Sequence, residues 1–596
     1  MIIVPVSSHD ELGHGPYIHY MHHRNKNVRN EFLDIRATFE KNQSKWLTEV
    51  TEWHSNLSEL ASKKTSGWWF VQGSRLLASN ESPIENFCIA NAVNEILRQR
   101  SDETVFLVDF PPSVLSYLAE IGLNVRLEKP TRHKNPVRLL RITMSFLLEA
   151  ARILRTAMKP KISTSVDLSG IKTIVYSHLL NLPKNPAGGD HFFGDMLQSL
   201  PNCPDNTKLW VYFNDSLSPV NQQFLKHHTD KIGSQVTVLQ DYFTIPIALR
   251  AIYQSLLIRL RLRGLMCTAE ALTIGDHRIP SFAADFYQDR IQCQWPMLEL
   301  AIKMVFDHLL RKSAVTSIIY PYEEKPLERA IIDSALNAHH QVRTIGVAHA
   351  IHNPVHLYLI RVNRLPRHSK KPTFIGTTGI RASAALNDWA GIPETSMRSI
   401  GTKRYREPLP GPLTSRPANA KLKVLMIVSL PNELPTLASW VETNPELFHS
   451  CTLTVRKYPF HWLKEQSAGI QRIKECGIPV NETDMPLAEQ LNEADVVIYA
   501  ASSAGFEAML AGKYTIQCRL SPHIGYTPIV YGTRGYTPPH CKTANELRRH
   551  LQFLQTIDSL TYSSATKEQI SFAKSVYSPI NRQAISDLLI SPFPVS

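Results

Sequence analysis

Along the chain, short runs rich in β-branched and aromatic residues alternate with longer stretches whose apolar positions recur every three or four residues. The short runs are Trp68 to Gln72, Thr104 to Phe110, Val125 to Glu128, Ile171 to Tyr176, Leu209 to Phe213 and Val236 to Leu239. A second group follows at Ser317 to Tyr320, Thr344 to Val347 and Thr373 to Ile375. Alternation of this kind predicts largely parallel sheets covered by helices. Ahead of it, residues 1–65 read as an N-terminal helical extension in which Phe32, Ile35, Phe39, Trp46, Leu47, Val50 and Trp53 share the apolar side of a polar helix. Residues 406–420 (Arg-Glu-Pro-Leu-Pro-Gly-Pro-Leu-Thr-Ser-Arg-Pro-Ala-Asn-Ala) continue neither a helix nor a central strand and read as a linker. After it, Leu422 to Leu430 looks like the first buried strand of a new α/β unit. The expected plan is α/β: the extension, a Rossmann-like domain over residues 66–405, the linker, and a second Rossmann-like domain over 421–596, the two facing across a cleft.

Composition supports a folded chain of several domains: of 596 residues, 43% are apolar and 20% charged, which excludes general disorder. Charge sharpens the picture, because the formal net charge of +13 implies an acidic partner. Between Pro136 and Pro160, Arg138, Arg141, Arg152, Arg155 and Lys159 fall within an arc of about 100° on a helix, with Ile142, Phe146, Leu147, Ile153 and Leu154 on the other side. The segment Ser255 to Arg263 repeats the combination of long apolar residues and arginines. Two readings stand for these helices: peripheral contact with an anionic membrane surface, or a charged outer face over an ordinary core. Nucleic acid is not expected, since the cations lie on amphipathic helices and not between exposed aromatics. No apolar run approaches the ~18–20 residues that span a bilayer, and eight scattered cysteines without a C-x-x-C pair suit a reducing compartment. The expectation is a cytoplasmic protein, peripheral at the inner face of the plasma membrane. Histidines 9, 14, 19, 22 and 23 have no cysteine or carboxylate cluster beside them, so they read as structural or exposed and no metal is expected.

Candidate chemistry gathers at four places. The run Asp495 to Tyr499 stops at Ser502, Ser503 and Gly505, and an alanine-rich helix carrying Glu507 follows; a strand, loop and helix of this kind can receive an anionic ligand. Arg456 and Lys457 end another strand of the same unit and can neutralise a phosphate. In the first unit, the strand Ile318 to Tyr320 ends in Tyr-Glu-Glu-Lys-Pro-Leu-Glu, and the next strand ends at His349, so both polar sets occupy the carboxyl edge of adjacent strands. Glu324 and Glu328 are candidates there, against the plainer reading that they stabilise a helix N-terminus. Finally, Gly188-Gly189-Asp190 follows the strand at 171–176; Asp190 is the first candidate for a general base and Glu324 the second, with a turn or helix cap as the alternative for Asp190.

These motifs resemble bacterial surface-carbohydrate biosynthesis proteins of the GT-B glycosyltransferase superfamily, related to capsule, Kdo and sialic-acid transferases. The resemblance rests on Tyr-Glu-x-x-Pro-x-Glu, the Gly-x-x-His strand end, Gly401-Thr402-Lys403-Arg404-Tyr405 before the linker, and the serine loop. It implies a GT-B fold, catalytic roles at Glu324, Glu328 and His349, and nucleotide-sugar binding at Ser502, Ser503, Gly505 and Glu507, to which the residues themselves add Asp190 as a catalytic candidate and Arg456 and Lys457 as phosphate-binding ones. The implied function is transfer of a sugar from a CMP- or UDP-linked donor to a glycan or lipid-linked glycan acceptor in capsule or lipopolysaccharide assembly, with no cofactor. Relatives using CMP-sugars carry a His-Pro pair where this chain has Tyr458-Pro459, which leaves the nucleotide open. No Asp-x-Asp, Walker A or Gly-x-Gly-x-x-Gly motif occurs, in keeping with metal independence. Two alternatives are a nucleotide-sugar epimerase or hydrolase of the same fold and a non-catalytic protein of glycan assembly or export.

Overall fold

A computed structural model describes residues 2–6, 17–19, 33, 35–71, 83–100, 104–108, 110–125, 136–159, 161, 166–179, 190–214, 223–226, 235–265, 268–287, 294–323, 325–352, 371–405, 421–429, 433–449, 451–456, 463–483, 485–520, 528–532 and 536–593. Glu324, Lys457 and the linker at 406–420 lie outside the described residues, as do Gly188, Gly189 and four of the five N-terminal histidines.

The first strands lie where the sequence predicts only helix. β1 (Ile2–Val6) and β2 (Tyr17–His19) both pair in parallel with β3 (Thr104–Val108), forming a small sheet in the order β1-β3-β2. The 29-residue helix Arg36–Lys64 packs against the helix Pro83–Leu97 and buries Phe39, Trp46, Val50 and Trp53 as its periodicity predicts. The extension therefore does not end at residue 65, since β3 belongs to the same sheet. The run at Trp68 is a 3₁₀ turn, Ser66–Phe70, and not a strand. Trp68 and Trp69 are both buried, and consecutive residues of a half-buried strand point to opposite faces.

The first large sheet contains β4 (Thr173–Leu179), β5 (Lys208–Asn214), β6 (Gln235–Val238), β9 (Ser317–Pro321), β10 (Arg343–Val347), β11 (Phe374–Thr377) and β12 (Met397–Ser399); β7 (Thr273–Ile274) and β8 (His277–Arg278) form a separate two-residue ribbon. Its order is β12-β11-β10-β9-β4-β5-β6, all parallel. The second large sheet, β13 (Leu422–Ile427), β14 (Cys451–Arg456), β15 (Val480–Thr483), β16 (Val496–Tyr499), β17 (Tyr514–Cys518) and β18 (His540–Cys541), has the order β15-β14-β13-β16-β17-β18, again parallel. Both sheets are doubly wound: the chain steps outward through three strands, then restarts beside the first. That restart creates a crevice at the carboxyl ends of β4 and β9 in one lobe and of β13 and β16 in the other.

The second domain does not run to residue 596. After the helix Ser559–Val576, the helix Arg582–Ile590 crosses back and buries Ile585, Leu588 and Leu589 among Val175, Phe193 and Trp210 of the first lobe. Burying three such side chains contributes about 5–9 kcal/mol before entropy is subtracted. The crossing is fixed by Asn581 N donating to Ile400 O at 2.9 Å and Arg343 Nε donating to Ser591 O at 2.9 Å.

Candidate active site

Three polar side chains meet at the first lobe's crevice. The Glu323 carboxylate, just beyond β9, accepts from His349 Nε2 at 3.2 Å and from the Lys325 ammonium. Burial alone would raise the Glu323 carboxyl, but the His349 hydrogen bond and the Lys325 charge outweigh it and hold the group well below the ordinary carboxylate value. Glu323 is thus ionised and engages the Nε2 side of the His349 ring, which leaves Nδ1 as the nitrogen not bound to it. That Nδ1 is buried and has no hydrogen-bond partner among the described residues. Beside it, burial and the nearby Lys325 charge push His178 down to about 4, and burial does the same to His352. Both are neutral at pH 7.

Glu328 does not enter this cluster as an acid or base. Its carboxylate is 3% exposed and accepts the backbone N–H of Glu323 at 3.0 Å, at the start of the helix Pro326–Leu336. The plainer reading, a helix N-terminal carboxylate, is the one realised, and it sets the turn that carries Glu323.

Asp190 is likewise no exposed base. It is 1% exposed, and its carboxylate accepts from Ser177 Oγ at 2.8 Å and from the backbone N–H groups of Phe192 and Phe193, each at 2.8 Å. This is the turn-and-cap alternative. Its consequence lies one residue further on: the turn aims Phe192 edge-on at the His349 ring, with centroids 4.7 Å apart. Asp190 thus meets the histidine only indirectly, through Phe192.

In the second lobe, Ser502 and Ser503 lie partly exposed beyond β16, before the seven-residue helix Ala504–Leu510. Gly505 is required there for packing. A Cβ at that position would stand 2.4 Å from the Tyr499 ring. The crevice amides are already engaged: the carboxylate of buried Glu433 accepts from Ser429 N and from Ala501 N, the latter at 2.9 Å. An anionic ligand would therefore sit beyond them, toward the serines. Arg456, at the end of β14, donates to Met485 O at 2.7 Å.

Between the lobes runs the segment 401–405, which the sequence singles out only as one motif of the resemblance. Gly401 takes φ +82°, and a Cβ there would stand 2.1 Å from Pro579 O. The next two cations point to opposite lobes. Lys403 Nζ donates to Asp190 O at 3.3 Å, while Arg404 Nη1 donates to Ser503 Oγ and lies 3.4 Å from Glu507 Oε1. Glu323 and Arg404 are the site residues that sequence reasoning missed. Glu323 stood in the quoted motif, but nothing in the motif says which of two adjacent glutamates faces the histidine.

A narrow recess opens nearby, lined by Ala348, His352, Thr377 and Thr378 of the first lobe and by Val530 of the second. Among the described residues, no group of three or more histidines, cysteines and carboxylates could hold a metal ion.

No protein-family model matches the chain, and no curated protein matches it. Among solved structures, it is similar to Anabaena HepE in complex with UDP (TM-score 0.41, 12% identity, covering 71% of this chain and 100% of that one). It is similar also to Acinetobacter baumannii MurG (0.37, 10%, 71% and 100%) and to the UDP-GlcNAc 2-epimerase of Neisseria meningitidis bound to UDP-GlcNAc (0.35, 8%, 70% and 98%). Likeness at TM-scores below 0.5 leaves activity and ligand undecided. The strand orders speak for themselves. The architecture is GT-B: two Rossmann-like lobes, a charged crossing between them, and a last helix that returns to the first lobe.

Proposed function

We propose that this GT-B protein is a glycosyltransferase that moves a sugar from a nucleotide-sugar donor to a surface-glycan acceptor. The observation that carries the reading is the Glu323–His349 pair, in which an ionised carboxylate orients an imidazole whose other nitrogen is buried and unpartnered at the carboxyl edge of the first sheet. In the proposed step, His349 Nδ1 takes the proton of the acceptor hydroxyl as its oxygen forms a bond to the anomeric carbon. The bond from that carbon to the nucleotide phosphate breaks, and Glu323 stabilises the imidazolium that results. Arg404, held by Ser503 and Glu507, and Arg456 neutralise the phosphate charge of the bound donor and of the leaving nucleotide alike. The surface-glycan context rests on the sequence resemblance, and the donor nucleotide, UDP or CMP, is left to experiment.

A thermal-shift series with UDP, GDP, dTDP and CMP tests donor binding. One nucleotide present at 100 Kd should raise the stability by about 2.7 kcal/mol, and a flat response to all four would remove the reading. Turnover of the matching nucleotide sugar without any acceptor would instead favour an epimerase or hydrolase.

A further inference from the structure

The two basic helices do not bury all of their apolar residues. Pro136–Ala157 turns Ile142, Phe146 and Ile153 inward, but Leu140, Met144, Leu147 and Leu148 stand exposed on its outer face. Leu147, which the sequence places with Ile142, Phe146 and Ile153 opposite the cations, is thus exposed where those three turn inward. The helix Ile245–Leu262 buries Ala248, Ala251, Ser255, Ile258 and Leu262. Its residues Ile245, Leu249, Tyr253, Leu256 and Leu260 form a second exposed stripe at intervals of three and four. With Met158, these ten side chains are 38–67% exposed and make up ten of the 17 large exposed apolar residues among those described. The two helices pack against one another, and Trp295 joins them: the Phe146 ring lies 4.7 Å from its ring, and the Arg259 guanidinium lies 4.8 Å above it. The stripes thus share one rigid base.

Charge decides what such a face suits. Residues 129–161 and 245–263 together hold thirteen lysines and arginines and a single acid, Glu149, so these two segments account for nearly all of the chain's net charge of +13. Arg141, Arg152, Arg155 and Lys159 flank the apolar stripe of the first helix; Arg250, Arg261 and Arg263 flank that of the second. Apolar residues at the centre with cations at the rim match a bilayer surface, where leucines enter the acyl boundary and arginines reach the phosphate headgroups. A nucleic-acid groove would not place leucines at the centre. No helix among the described residues is long and apolar enough to cross a membrane, which leaves contact in the plane of the surface.

We infer that the outer faces of Pro136–Ala157 and Ile245–Leu262 form one docking surface for an anionic lipid bilayer. The inference is independent of the transferase reading, because binding to vesicles is measured without any sugar substrate. The test is co-sedimentation of the full-length protein, at physiological salt, with vesicles of phosphatidylcholine alone or mixed with phosphatidylglycerol. The mixed vesicles should carry the protein down and the neutral ones should not. The exposed double variant L148E/L256E and the charge variant R141Q/R155Q should each weaken partition by about tenfold or more, with thermal melts unchanged. Wild-type protein left in the supernatant overturns the proposal. So does sedimentation of L148E/L256E at the wild-type level, dissociation of a homodimer by that variant, or duplex DNA binding without vesicle binding.

Discussion

The two lobes repeat one strand order but use their crevices in different ways. At the first, a half-buried carboxylate, an ammonium and an imidazole are arranged so that one nitrogen is left without a partner among the described residues. At the second, Glu433 satisfies the crevice amides and Arg404 satisfies Ser503, so the loop beyond β16 is closed by its own protein. On the proposed reading, the same topology provides a place for proton transfer in one lobe and a charge-neutralising grip in the other. What distinguishes them is which polar groups remain unspent.

That contrast is broken most directly at His349. Replacing it with Gln should lower turnover by about 10²–10⁴-fold while melting temperature and nucleotide binding stay near wild type; a variant that keeps its turnover would strip the first lobe of its chemical role. Acid should separate the regions next. His178 and His352 have folded values near 4 against 6.5 unfolded, so the unfolded chain binds more protons in that window. Their contribution is complete above pH 6.5 and is lost as pH falls toward 4, on the order of 3 kcal/mol each. Melts between pH 7.5 and 4.5 should show the loss, and His178→Gln should flatten the slope.

On the second lobe, Arg404→Ala should raise the KM for donor by about 10–100-fold, as expected for hydrogen bonds to a charged group, with a smaller change in kcat. Arg404→Lys should not restore it, since a flexible, strongly hydrated ammonium does not reproduce the planar guanidinium whose Nη1 reaches both Ser503 and Glu507. If kcat fell while KM held, the division of labour between the lobes would be wrong. The mildest effect is reserved for Asp190→Asn, where loss of charge-assisted bonds to the 192 and 193 amides should reduce stability by about 1–3 kcal/mol. Turnover of the folded fraction should fall only slightly. A loss as deep as that of His349→Gln would restore Asp190 as the base.

Much of the fold was legible because it depends on local patterns. The strand runs named from sequence fall on strands, except Trp68 to Gln72 and Val125 to Glu128, of which all but Val125 lies outside the described residues; β-branched runs buried on both faces carry a strong signal. Trp68 failed because hydrophobicity without alternation does not distinguish a strand from a buried turn, and β1 and β2 were missed because pairing with β3 spans about a hundred residues. The site was legible by neighbourhood and less by residue. Strand ends located His349, Ser503 and Glu507, but the bonds made by Asp190 and Glu328 depend on turns whose direction no motif records.

By itself the sequence determined the alternation of strands and helices, the double α/β plan, the concentration of cations on two helices and the strand edges where polar residues collect. All of these follow from periodicity and composition within a few turns of chain. The tertiary structure decided that Glu323 holds His349, that Asp190 is saturated, that Arg404 reaches the serine turn, and that two leucine stripes remain uncovered. Each of these is a matter of which groups still lack a partner once the chain has closed on itself, and that depends on contacts between residues up to hundreds of positions apart.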